Sequence, residues 1–157
     1  MKISKTKHIT KKGVVKKNPV NLYLQLNRQT QNEVDNFPMQ FAFSEEQLKE
    51  GLKKLGIKKE EALGIGGGGF IRKTDKDKYV AMIVKHAKKH NEMLKNKTYV
   101  YQMFRYELAN HEFVCTGDYD DTLRSVGLTW EKVKKNPMWL AQLEKARRDY
   151  MNSGVEC

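Results

Sequence analysis

A chain of 157 residues with 30 Lys+Arg against 19 Asp+Glu carries a formal net charge of +11. That length fits one ordinary domain able to bury a core without a metal or a disulfide, and a composition of 10% aromatic and 31% charged residues argues against wholesale disorder. No apolar run reaches the roughly 18 residues of a membrane span, and no signal-peptide core follows the basic start, so no membrane partner is expected and a reducing cytoplasm is the expected home.

The charge is uneven. Residues 1–18 hold seven lysines and no acid, which leaves +4 for the other 139 residues. A surplus of this sign raises the local concentration of polyanions such as nucleic acid or acidic protein surfaces. Residues 1–17 alternate lysines with Ile3, Ile9, Val14 and Val15 around Gly13, a pattern open to an arm or an edge strand and read here as a basic N-terminal arm, a mobile one.

Asn18-Pro19 then predicts a helix opening, with Leu22, Leu26, Val34 and Phe37 on one face and Pro38 ending it. Met39 to Phe43 alternate as a short strand. Ser44-Glu45-Glu46-Gln47 is a capping-box pattern with Phe43 and Leu48 as its staple, followed by a Leu48, Leu52, Leu55 stripe and a stop at Gly56. A turn of helix is expected around Lys58 to Leu63. Phe70-Ile71-Arg72 returns as a strand beside Phe41 to Phe43. Asp75 to about Leu94, capped by Thr74, and about Thr98 to Val114 predict two long antiparallel helices, the first with Tyr79, Met82, Ile83, His86, His90 and Met93 near one face. Short helices are expected over Asp118 to Val126 and Thr129 to Lys135, and Asn136-Pro137 opens a last helix reaching about Met151. The fold class is therefore α+β, predominantly α-helical: an arm at 1–17, one globular domain over 18–152 and a tail at 153–157, with a two-stranded element or β-hairpin, about five to seven helices and no second core.

The run Gly64-Ile65-Gly66-Gly67-Gly68-Gly69 matches G-x-G-x-x-G, yet a helix is expected before it and a strand after it, the reverse of a dinucleotide site, and Phe70 stands where a Walker lysine belongs. What remains is a candidate anion loop: the backbone N–H groups of Gly66, Gly67, Gly68 and Gly69, with Arg72, Lys73 and the following helix start adding positive potential. The structural alternative is a tight strand connection or hinge.

Glu107 and His111 stand at i and i+4, with Asp118 beyond, a density of carboxylate and imidazole that suits a divalent metal or an acid–base pair. Against that, His111 falls in phase with Tyr101, Phe104 and Leu108, which favours a core histidine bonded to Glu107, with Asp118 capping the next helix. His86 and His90 sit among Lys85, Lys88 and Lys89 and read as a solvated basic face. Tyr99, Tyr101, Tyr106, Trp130 and Trp139 could stack bases, although helical spacing assigns them to the core first. The cysteines, Cys115 and Cys157, have neither metal-ligand nor redox spacing, and Cys115 has no identified activating base. No metal or cofactor is expected, and the enzyme hypothesis is the lesser one.

Three stretches carry a family resemblance: Phe41-Ala42-Phe43-Ser44 with Gln47; Gly68-Gly69-Phe70-Ile71-Arg72-Lys73-Thr74-Asp75; and Tyr106-Glu107-Leu108-Ala109-Asn110-His111-Glu112. From Phe37 to about Tyr150 the chain resembles an uncharacterised family of small proteins of low-GC Gram-positive bacteria, their phages and other mobile elements. The resemblance implies a domain extent and a bacterial host cell, without a mechanism. Proteins of that setting often block host defence, so the leading expectation is a non-enzymatic protein engaging a nucleic acid or nucleoprotein, as an inhibitor of a defence nuclease of the CRISPR-Cas type. Lys11, Lys12, Lys16, Lys17, Arg72 and Lys73 would contact phosphate. The alternatives are a metal-assisted hydrolase or nuclease at Glu107, His111 and Asp118, and a protein-only adaptor for an acidic partner.

Overall fold

The computed structural model describes residues 19–157. The expected arm, with Lys11, Lys12, Lys16 and Lys17, lies outside the described residues. Helix α1, Leu22–Asp35, starts later than Asn18-Pro19 suggests, because Asn21 is the cap and its side chain accepts from Leu24 N at 3.0 Å. A long-range contact fixes that start. Gln102 accepts from Leu22 N at 2.8 Å and donates to Val20 O at 3.1 Å, so the chain enters the helix clamped from the side.

Strand β1, Met39–Phe41, leads to α2, Glu45–Leu55. Ser44 caps α2 as its sequence predicts, accepting from Gln47 N at 3.2 Å, while the Gln47 side chain reaches back to Phe43 N at 2.7 Å. Gly56 closes the helix at φ 67°, with Ile57 N bonded to Leu52 O. The helical turn expected at Lys58 to Leu63 is only a 3₁₀ turn, Lys59–Glu61, before strand β2, Ala62–Gly66. Strand β3, Gly69–Arg72, lies between the other two, antiparallel to both. The sheet is thus three-stranded rather than two-stranded, since the chain over Ala62 to Gly66 satisfies its backbone on β3.

Only glycine makes this layer possible at two places. Gly67 and Gly68, at φ 57° and 78°, form the two-residue turn between β2 and β3, the left-handed pair that a tight hairpin requires. Gly51 of α2 is buried against the sheet, where a Cβ would stand 2.7 Å from Phe70 Cζ and 3.0 Å from Gln40 Cβ. Gly51→Val is therefore expected to cost about 1–3 kcal/mol in chemical denaturation, while Gly56→Ala, with open space around it but a positive φ, should cost about 1 kcal/mol.

Helix α3, Lys76–Met93, follows a 3₁₀ turn at Lys73–Asp75. Helix α4, Lys97–Asn110, is capped by Asn96 and buries Tyr99, Val100, Met103, Phe104 and Leu108. The single helix expected to Val114 breaks after Asn110, where Glu112 takes a left-handed φ of 49°, and a short α5, Phe113–Thr116, resumes. Helices α6, Asp120–Ser125, α7, Trp130–Lys135, and α8, Pro137–Met151, match the expected capped segments; Thr129 caps α7 and Asn136 caps α8. The described residues hold eight α-helices, against the expected about five to seven.

The main core joins α1 to α4–α8, and the expected antiparallel pairing of α3 with α4 is not its axis: α4 packs chiefly on α8 and then on α1. The reason is side-chain type. The inner face of α4 is apolar apart from the Tyr99 hydroxyl and the Glu107 carboxylate, whereas α3 has no buried side chain. Leu55, Phe70 and Ile71 are buried outside that core, so the sheet and α2 hold a small apolar layer of their own. Cys115 and Cys157, whose spacing matches no metal or redox motif, are joined as a disulfide with Cα atoms 4.9 Å apart, which ties the end of the chain to α5. Among the described residues no helix is long and apolar enough to cross a membrane.

Candidate functional site

Helix α3 is the element least absorbed by the fold. Over 18 residues it contains no buried side chain, and its lysines Lys76, Lys78, Lys85, Lys88 and Lys89 are all exposed. At 3.6 residues per turn Lys78, Lys85 and Lys89 fall within about 40° of one another, a rail of positive charge along the helix. Lys85 bonds Glu33 of α1 at 2.8 Å, whereas Lys78, Lys88 and Lys89 form no ion pair among the described residues. A second face carries Val80, Ile83 and Val84, 48%, 42% and 60% exposed.

The third face of α3 turns inward. Tyr79 meets Phe37 edge to face at 5.6 Å. His86 Nε2 lies 2.9 Å from Glu33 Oε2, so Glu33 holds both Lys85 and His86, and these two bonds keep its carboxyl below the usual range. His90 bridges Tyr99 Oη at 2.8 Å and Val126 O at 3.0 Å. Both histidines line a cavity of about 400 Å³ between α1, α3, α4 and the α6–α7 turn. They are half-buried, not the solvated basic face that their lysine neighbours suggest. Their helical phase, shared with Tyr79, Met82 and Met93, was the signal that could have placed them.

The glycine run is a hairpin turn, with the carbonyl of Gly68 accepting from Ala42 N at 2.9 Å. Gly66 to Gly69 lie at one end of β3 and Arg72 and Lys73 at the other, so the proposed cradle is not assembled. Arg72 is also engaged, its Nε donating to the buried Asp75 carboxylate at 2.7 Å. Lys73 stays exposed at the entrance to α3, beside Lys76.

Glu107 and His111 do meet, Nε2 lying 3.2 Å from Oε2. Glu107 is buried, and it accepts from Tyr23 Oη and from Asn110 Nδ2 at 3.1 Å. Its oxygens are thereby occupied in tying α1 to α4. Asp118 is not brought to them; its Oδ1 accepts from Asp120 N at 2.9 Å in the turn before α6, whose N-cap is Tyr119 and not the expected Asp118, and the described residues hold no group of three or more His, Cys, Asp or Glu able to hold a metal. His111 caps the end of α4, half-buried, rather than sitting in the core.

Of the aromatic candidates, Tyr99 is fully buried and Trp139 donates to Leu94 O at 2.9 Å. Tyr101 donates to Asp149 at 2.6 Å, beneath the Lys145 ammonium. Tyr106 and Trp130 are exposed, and Trp130 lies flat on Tyr119 with centroids 5.5 Å apart. Burial, aided in Tyr23 by the Glu107 bond, raises the pKa of Tyr23 and Tyr99 above the ordinary tyrosine value. The stability that these neutral phenols contribute is complete below pH of about 10 and lost as pH rises beyond it. Denaturant midpoints should fall above that pH, and fall less steeply in Tyr23→Phe.

Fold and surface together define a small helical α+β protein with one underpacked, lysine-lined helix. The chain belongs to a family of unknown function, DUF7659, whose model matches residues 22–149. That match opens on the first residue of α1 and closes within α8. No curated protein and no solved structure matches the chain.

Proposed function

We propose that the protein is a non-enzymatic binding protein that engages a nucleic acid or nucleoprotein through the outward lysines of α3, supplemented by those of residues 1–17. What supports this reading is one observation: an 18-residue helix with no buried side chain carries five exposed lysines. A helix contributing so little to the core still costs conformational entropy to order, and its exposed lysines have the chemistry to contact phosphates without reading bases. Lys73, Lys76, Lys78, Lys88 and Lys89 take the role first expected of Arg72, whose guanidinium is engaged with Asp75.

Fluorescence anisotropy on single-stranded RNA and duplex DNA tests it. With about five phosphate contacts, affinity should fall roughly 10²- to 10³-fold between 50 and 200 mM salt, and fall further when residues 1–17 are removed. Absence of a salt-dependent complex with any nucleic acid would sink the proposal. Its narrower form, inhibition of a defence nuclease of the CRISPR-Cas type in a bacterial host, rests on the resemblance to proteins of mobile elements; unchanged target cleavage by such nucleases in the protein's presence would remove it.

The exposed Val80, Ile83 and Val84 favour a second reading, a protein-only adaptor with an acidic partner. Co-purification from the native host after nuclease treatment separates the two, since a protein-only complex survives that treatment.

A further inference from the structure

Strand β2 is an outer strand of the sheet, and the pairing register fixes which of its backbone groups face outward. In an antiparallel ladder bonded and non-bonded pairs alternate. Ala42 N donates to Gly68 O at 2.9 Å, so Ala42–Gly68 and, two residues on, Gln40–Phe70 are bonded pairs. The backbone groups of Phe70 therefore turn toward β1 and those of Ile71 toward β2. Leu63 is bonded to Ile71, and the N–H and C=O of Gly64, opposite Phe70, point away from the sheet. Gly64 is exposed, a Cβ there would meet nothing within 4 Å, and among the described residues no hydrogen bond from outside the sheet reaches it. The strand carries neither the charged residues nor the proline that close such edges, and its bulge falls after Gly64.

An apolar groove of about 680 Å³ runs beside this edge. Ala62, Gly64 and Phe70 share the face on which α2 packs, but Gly51 seats α2 on Phe70 and leaves Gly64 bare. Leu48 and Phe43 line the groove above that floor. Phe43, 79% exposed, leans on the turn, where a Cβ on Gly68 would stand 2.7 Å from its Cε1. Free backbone groups beside an apolar groove suit an extended peptide, which pairs through its main chain and seats alternate side chains. Charge and size select the occupant. Residues 39–72 hold six Lys+Arg against five Asp+Glu, so this layer has little of the +11 and does not favour a polyanion. A second copy of β2 would set only Ala62, Gly64 and Gly66 over the groove, side chains too small to fill it.

We propose that β2 takes up an extended, uncharged segment of a partner protein as a fourth strand. One residue of that segment exchanges both backbone bonds with Gly64, and it and the residue two positions on place apolar side chains between Phe43 and Leu48. This surface goes beyond the polyanion reading and lies toward the hairpin end of the sheet, with Lys73 at the other.

NMR of the full chain with isotope-labelled glycines, titrated with acetyl-Thr-Leu-Thr-Phe-Thr-amide, tests the proposal. The Gly64 amide resonance should move saturably. N-methylation of the probe's Leu and Phe, whose N–H groups face β2, should weaken binding at least about tenfold through loss of two hydrogen bonds. N-methylation of the middle Thr, whose N–H faces away, should change it less than about twofold. Gly64 has no left-handed φ, so Gly64→Gln keeps the fold, read from the other glycine resonances, while its side chain enters the groove. That variant should bind the probe about tenfold more weakly and bind RNA as before, so this assignment and the polyanion reading fail separately. No saturable shift, or a shift indifferent to where the methyl groups stand, would overturn the assignment. So would a Gly64 N–H already protected from exchange in the free chain: protection lost on dilution identifies a second copy on the edge, and protection lost on removing residues 1–17 identifies that segment.

Discussion

Glu107→Ala should lower the unfolding free energy by about 1–3 kcal/mol, the cost of leaving buried donors without their acceptor, and lower Tm by about 2–12 °C in a domain of this size. The carboxylate is buried and joins Tyr23 of α1 to Asn110 and His111 at the end of α4. Its loss leaves the Tyr23 hydroxyl without an acceptor inside the core, so the penalty exceeds that of a surface acid. Glu107→Gln keeps an oxygen for Tyr23 and should cost less. The same pair of variants bears on the hydrolase reading. A metal-assisted centre at Glu107 and His111 requires a divalent-ion-dependent activity that Glu107→Gln abolishes while the fold stands; a tie between helices requires only the loss of stability.

Replacing Lys78, Lys88 and Lys89 together by glutamine should weaken nucleic-acid binding roughly 10- to 100-fold, and should make the dependence of log affinity on log salt shallower by about 3. Stability should hardly move, within about 0.5 kcal/mol per site, because none of the three is buried or ion-paired among the described residues. Lys85 is left in place, since its bond to Glu33 links α3 to α1. A matched substitution of Lys132, Lys135 and Lys145, exposed on α7 and α8, removes the same charge from elsewhere and should weaken binding much less.

The parts of the fold that were legible in the chain are those decided within a few residues. Ser44, Thr129 and Asn136 cap their helices through their own side chains, and the return of Phe70-Ile71-Arg72 to the first strand follows from strand alternation closed by Gly67-Gly68, although Gly69 to Ile71 pair with Met39 to Phe41 and not with the expected Phe41 to Phe43. What was not legible depends on distant partners. Asn18-Pro19 has the signature of a helix start, yet Gln102, some eighty positions along, moves that start to Asn21. The sealing of Gly51 onto Phe70 and the joining of Cys115 to Cys157 have no local pattern at all. At the candidate site, composition misled: lysines around His86 and His90 hid an inward face that helical phase already contained. The Arg72–Asp75 bond likewise takes from the surface a cation that charge counting had included.

The central claim is that the outward lysines of α3 form the binding surface. Lysine acetylation of the full chain, read by mass spectrometry with and without saturating single-stranded RNA at low salt, addresses it most directly. Protection should concentrate on Lys73, Lys76, Lys78, Lys88 and Lys89, with Lys49, Lys53 and Lys135 reacting as in the free protein. Protection of those three with the α3 lysines unchanged would contradict the account.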